Sequence, residues 1–187
     1  MTWSPLATAC TNETPKTRWR AVPFTAGKGL DLGCGRERLF DTEFVLGVDN
    51  GQGDGSGGPI QANMKLDARD LSPLSAGQWD FVYSSFLLQT FPYKDVPNVL
   101  REWMRVVKTN GNLVLYLPDS EVYPKCAEPE LGIVAEGGGN PEYKWNVTYQ
   151  RLVAAMKKTH FNWDLVRFEQ CHTDDEYAIF AVFRKLK

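Results

Sequence analysis

Two histidines, four cysteines and no long apolar stretch leave several kinds of protein out at once. Cys10, Cys34, Cys126 and Cys171 lie far apart and form neither a CxxC pair nor the dense framework of a small secreted domain. They read as reduced thiols in a cytoplasmic protein and offer no structural zinc site. His160 and His172 each stand near the end of an expected element without a metal-ligand partner at useful spacing, so they read as surface or capping residues. Spanning a bilayer takes about 20 consecutive apolar residues, and no segment approaches that length. The N-terminal segment through Thr25 is polar and interrupted by Pro5, Pro15 and Pro23, unlike a secretory signal. With 21 basic against 23 acidic side chains and a net charge of −2, the chain lacks the broad cationic field that drives binding to phosphate backbones. Duplex nucleic acid and membranes are therefore disfavoured partners, and the oligomeric state is left open. There is no internal repeat, and the sequon Asn146-Val147-Thr148 reads as a chance match.

What is present is one domain's worth of core: 187 residues, 43% of them hydrophobic. Residues 1–27 show no clear periodicity and are expected to form a surface-hugging arm, with Trp3 and Trp19 packed onto a domain that spans 28–187. Leu30 and Leu32 lead into Gly33-Cys34-Gly35 as a short buried strand ending in a tight turn. A second strand follows over 44–49, a turn-rich GQGDGSGG loop after it, and a brief third strand is expected at Ile60–Asn63. Trp79–Ser85 is the clearest strand by content. After Pro97, apolar residues at Val99, Leu100, Trp103, Met104, Val106 and Val107 give an amphipathic helix predicted to stop near Asn110-Gly111. The run 112–117 is a fifth, buried strand, and strand, helix and strand in succession make a βαβ unit. Residues 119–144, broken by Pro124, Pro129, Pro141 and Gly137-Gly138-Gly139, form a long irregular excursion. A helix over 149–160 and two strands, 163–171 and 177–186, complete the chain, with Asp174-Asp175 suited to a hairpin turn. The fold expected is α/β and Rossmann-like: a mostly parallel central sheet, helices on both faces and a C-terminal antiparallel hairpin.

The chemistry concentrates in Gly29-Leu30-Asp31-Leu32-Gly33-Cys34-Gly35 and in Gly47-Val48-Asp49. At the carboxyl edge of a parallel sheet, glycines let backbone approach a ligand closely. An acid ending the next strand, here Asp49, can accept from both hydroxyls of a ribose. A dinucleotide site would continue as G-x-G-x-x-G, but its third position is Arg38, which weakens an NAD-dependent oxidoreductase.

The segments DLGCG, GVD, Leu66-Asp67-Ala68-Arg69-Asp70-Leu71, WDFVYSS and REWMRVVKTNGNLVLYLPD, in order from about residue 28 to 119, resemble the successive motifs of class I S-adenosylmethionine (SAM)-dependent methyltransferases, particularly the type-11-like group. That ligand carries a sulfonium and an amino-acid tail and no phosphate, which suits acidic and backbone acceptors at the bend. The resemblance implies that Asp31, Gly33, Cys34 and Gly35 line its methionine end, and that Asp49 with the neighbouring Asn50 holds the ribose. It also implies that Asp67 and the Ala68 backbone meet the adenine, and that Ser84 and Ser85 sit near the sulfonium, with Leu87 and Leu88 covering the apolar side. The product would be S-adenosylhomocysteine. Two positions depart from the pattern: Glu37 replaces a third glycine, and Phe86-Leu87-Leu88-Gln89-Thr90 lacks the histidine and glutamate many relatives carry after the fourth strand.

Each acid also has a plainer reading: Asp31 as a turn cap, Asp49 as a strand end, Asp67 or Asp70 as helix caps. Cys34 reads as a small apolar filler. An acceptor pocket is expected beyond the fourth and fifth strands, under the excursion, with Tyr83, Gln89, Asp119, Tyr123, Tyr143, Lys144 and Trp145 as candidate walls. Asn140-Pro141-Glu142-Tyr143-Lys144-Trp145 resembles a segment of some type-11-like relatives, although Tyr143 and Trp145 equally suit pins that fasten the loop to the core. The acceptor itself, expected to be a small molecule, and any catalytic base are not named by the sequence. A non-catalytic SAM-binding domain of the same fold is the alternative.

Overall fold

In the computed structural model, residues 13–52, 59–136, 139–173 and 175–187 are described. Trp3, Cys10, most of the GQGDGSGG loop, Gly137, Gly138 and Asp174 lie outside them. Five strands run parallel: β1 (Gly29–Leu32), β2 (Val45–Asp49), β3 (Met64–Lys65), β4 (Trp79–Ser85) and β5 (Val107–Pro118). Two more, β6 (Trp163–Thr173) and β7 (Glu176–Lys185), pair antiparallel with each other, and β7 also runs antiparallel to β5. The sheet order is β3-β2-β1-β4-β5-β7-β6. β1 lies inside the sheet between β2 and β4, and all four of its residues are buried, as a strand covered on both faces requires.

Alternation sorts the side chains into two cores. Leu30, Leu32, Val82, Leu113, Leu115 and Phe183 face α2 (Val96–Val106) and α3 (Tyr149–Lys157). Phe81, Tyr83, Val114, Tyr116 and Phe180 face the opposite way, toward Ala21 of α1 (Glu13–Ala21) and Leu39. Helices therefore lie on both faces. α2 is the amphipathic case, burying Val96, Val99, Leu100, Trp103, Met104 and Val106 at i, i+3, i+4 spacing, each burial contributing about 1.5–3 kcal/mol.

Several boundaries differ from expectation. α2 ends at Val106 and passes directly into β5, so Asn110, at φ 65°, and Gly111 sit within a strand instead of capping a helix. The third strand is Met64–Lys65, not Ile60–Asn63, because its place is set by pairing with Val48 and Asp49. Residues 13–21, expected to be irregular, are helical and bury Glu13, Thr14, Thr17 and Ala21. Trp19 is 66% exposed with the Arg20 guanidinium 4.4 Å above its ring, so it does not pack onto the domain.

The crossover from β1 to β2 contains no helix, although parallel strands are usually joined through one. Side chains satisfy the backbone in its place. The buried Arg38 guanidinium donates to the carbonyls of Thr42 and Val45 and pairs with Asp41. Arg18 reaches across from α1 to the carbonyls of Leu39 at 2.9 Å and Arg38 at 3.0 Å. Gly47 makes room for this plug: a Cβ there would stand 2.8 Å from Cys34 Sγ and 3.3 Å from Arg38 Nε. No helix among the described residues is long and apolar enough to cross a membrane.

Candidate active site

The bend after β1 is held from below and from the side. Gly33 and Cys34 donate backbone N–H groups to Val48 O at 2.8 and 3.3 Å. Gly35 adopts φ 54°, where a side chain would be strained, and a Cβ there would meet nothing closer than Gly33 O at 4.0 Å. The space is open at Gly35, whereas Leu87 covers Gly33, where a Cβ would stand 2.8 Å from its Cδ2. Asp49, ending β2, accepts from Gly35 N at 3.2 Å through one carboxylate oxygen and from Gly51 N at 2.8 Å through the other. Leu66 N donates to Asp49 O at 3.1 Å, so Asp67 begins one residue from the same strand end. Asn50 folds its side chain onto Gln52 at the exposed rim.

Asp31 lies beneath this edge. It is 1% exposed and accepts from Leu39 N at 2.6 Å, which fastens the helix-free crossover. Its plainer reading as a turn cap describes the observed contact. Burial raises its pKa to about 7, against the opposing pull of the Leu39 N–H and of Arg38 and Arg18. The folded state thus keeps a proton that an unfolded aspartic acid releases near pH about 4. This contribution to stability is complete below that pH and is lost as pH rises through about 7. Asp31→Asn, permanently neutral, is expected to gain on the wild type in urea unfolding as pH rises from about 4 to about 7, so that its advantage is larger at pH 8 than at pH 5. Equal pH slopes for the two proteins would contradict this.

Asp67 is engaged by Arg69 in a forked pair, Nη2 to Oδ2 at 2.5 Å and Nε to Oδ1 at 3.0 Å, and this guanidinium holds its carboxyl below the usual range. Ala68 is fixed by its carbonyl, which accepts from Trp103 Nε1 at 2.7 Å. Ser84 is fully buried and donates to Leu32 O at 3.0 Å, a pin between β4 and β1 that turns away from the edge. Cys34 is a buried filler whose thiol is pushed up to about 12 by burial.

The candidate walls divide. Tyr83 is fully buried under α1, its hydroxyl facing those of Ser85, Thr14 and Thr17, so it belongs to the interior and not to an open pocket. Among the described residues, the Tyr83, Ser85 and Thr17 hydroxyls have no hydrogen-bond partner. Gln89, 1% exposed, donates to Phe86 O at 2.7 Å, and its own carbonyl accepts from Lys144 N. Tyr143 and Trp145 are buried, and Trp145 Nε1 donates to Leu88 O at 3.2 Å, as pins for the excursion would. Lys144 turns its ammonium back to Pro141 O. Asn146 is 1% exposed and bonded to Cys126 O and Glu128, so its sequon is closed to modification. Tyr123 stacks edge-on against Tyr177, and Asp119 meets His172, a pairing that sequence spacing does not reveal. A cavity of about 520 Å³ lined by Arg18, Arg38 and Gln61 opens beside the crossover, away from the excursion.

Six strands running one way with one reversed strand, β7, inserted beside the edge strand β6, a glycine bend after β1 and a carboxylate ending β2 define a class I SAM-dependent methyltransferase fold. A methyltransferase-domain family model matches residues 30–115 of the chain. A protein from Pyrococcus horikoshii superposes with a TM-score of 0.69 at 18% identity, over 95% of this chain and 92% of its own. A SAM-dependent methyltransferase from Archaeoglobus fulgidus gives 0.60 at 16%, covering 92% of each chain. Magnesium protoporphyrin IX methyltransferase from Synechocystis, crystallised with SAM, gives 0.58 at 12%, over 92% of this chain and 77% of its own. A search of curated proteins gives no match.

Proposed function

We propose that this chain transfers a methyl group from SAM to a small-molecule acceptor, within one domain spanning 28–187 whose acceptor side lies toward the 119–144 excursion. The observation that carries this reading is the backbone bare at Gly35, with Asp49 3.2 Å from Gly35 N. A carboxylate beside a bare backbone suits a ribose diol and a cationic sulfonium compound. The pyrophosphate of NAD needs a helix N-terminus behind the bend, and residues 36–44 form none.

Bound SAM supplies a methyl group on an already activated leaving group, so alignment and exclusion of water carry much of the acceleration. Asp49 holds the ribose, the Gly33–Gly35 backbone lies along the methionine end, and Asp67 with Ala68 borders the adenine. Asp31 acts by fixing the crossover that presents the bend. Trp145 and Tyr143 fasten the excursion and keep water from its base.

Calorimetric titration with SAM and with NADH, followed by incubation with tritiated-methyl SAM and a small-molecule cell extract, tests the reading. Micromolar SAM binding with label passing to the extract is expected. Binding without transfer would favour an inert SAM-binding domain, and tighter NADH binding would overturn the assignment.

A further inference from the structure

The chain has two histidines, and the fold carries one of them onto a buried carboxylate. His172 Nε2, on β6, lies 2.9 Å from Oδ2 of Asp119, the residue after β5. Asp119 is 1% exposed and is fixed by two further donors, Gln170 Nε2 at 3.3 Å and Glu121 N at 3.1 Å. An ionised carboxylate has no proton to give, so the imidazole donates from Nε2 and its Nδ1 keeps a free lone pair. The His172 side chain retains 35% of its surface, so it is reachable, whereas its partner is not.

The pair stands on the same carboxyl edge as the glycine bend. Asp119 N donates to Tyr177 O at 2.8 Å, and Tyr177 is the cross-strand partner of His172. The Tyr177 ring packs edge-on, at 6.2 Å, against Phe86, the residue that follows β4. One aromatic contact thus separates the end of β4 from the dyad. Three other candidates keep their own protons: burial pushes the Cys34 thiol up to about 12 and raises the Tyr83 and Tyr143 phenols above their ordinary range.

We propose that His172 is the general base of the transfer, oriented by Asp119, and that the acceptor is a small molecule whose attacking O–H or N–H must lose its proton. This rests on the methyltransferase reading above. The acceptor lone pair forms the new bond to the methyl carbon, and the carbon–sulfur bond breaks with its electrons going to sulfur. The acceptor proton moves to His172 Nδ1, and the resulting imidazolium is balanced by the Asp119 carboxylate.

Two measurements test it. In ¹⁵N NMR of the protein alone, two rings are present and His172 is expected in the Nε2–H tautomer, a preference that Asp119→Asn removes. With tritiated-methyl SAM and a panel of phenols, carboxylic acids and primary amines, set against dimethyl sulfide and pyridine, label is expected only in the proton-bearing group. His172→Gln is expected to lower kcat about 10²-fold or more, with SAM affinity by calorimetry unchanged within twofold. Imidazole should partly rescue His172→Ala, and His160→Asn should behave as wild type. Transfer by His172→Gln at the wild-type rate, label in the sulfide or pyridine, or an Nδ1–H tautomer would each overturn the base alone. A wild-type protein that binds SAM and labels nothing overturns the transfer reading and the base with it.

Discussion

Asp49→Ala is expected to weaken SAM binding about 100-fold in calorimetry, with Asp49→Asn near tenfold. Hydrogen bonds to a charged group contribute about 1.5–3 kcal/mol each, and each 1.4 kcal/mol is a factor of ten. The alanine variant would lose both of the ribose contacts proposed for Asp49. It also frees Gly35 N and Gly51 N, which the carboxylate now holds at 3.2 and 2.8 Å, so the bend itself loosens. The asparagine keeps one acceptor and one of those tethers. Affinity within threefold of wild type for the alanine variant would remove Asp49 from the site.

Trp103→Ala should be the most damaging single change to the fold. The indole is fully buried at the centre of α2, and truncating such a residue costs about 3–5 kcal/mol. For a domain of this size that corresponds to a fall in Tm of about 10–15 °C by calorimetry. Trp103→Phe separates packing from hydrogen bonding: it keeps most of the apolar volume but leaves Ala68 O without the donor now 2.7 Å away, at a cost of about 1–3 kcal/mol. Because Ala68 follows Asp67, the phenylalanine variant should also bind SAM more weakly. A loss under 1 kcal/mol for the alanine variant would show that the helix repacks around the gap.

The parts of the fold that the sequence announced are those with a period or a marked composition. α2 repeats at helical spacing and stands where expected except at its end, while Trp79–Ser85 was legible from its aromatic and β-branched content instead. β3 is two residues long, too short to alternate, and only its pairing with β2 fixes it. α1 was missed because it seals itself with Thr14, Thr17 and Ala21 and turns its tryptophan outward, the reverse of an apolar stripe. In the site, the meeting of the glycine bend with Asp49 was legible because it follows from local backbone and strand ends. The contact of Asp31 with Leu39, the Arg69 fork on Asp67 and the guanidinium plug of Arg38 arise from the shortened crossover. That shortening shows only as too few residues for a helix between Leu32 and Val45. Asp119 and His172 are 53 positions apart and meet because of strand register, which neither neighbourhood in sequence encodes.

The plug has a further consequence for how the molecule holds together. β5, β6 and β7 form long ladders under helical cover, whereas β1 to β3 are stitched by short pairings and a few charged side chains. Cooperativity is therefore uneven, and the β1–β3 flank is the part most prone to open on its own. A ligand seated across that flank acts as a keystone, tightening backbone it does not touch and drawing part of its apparent affinity from order it creates.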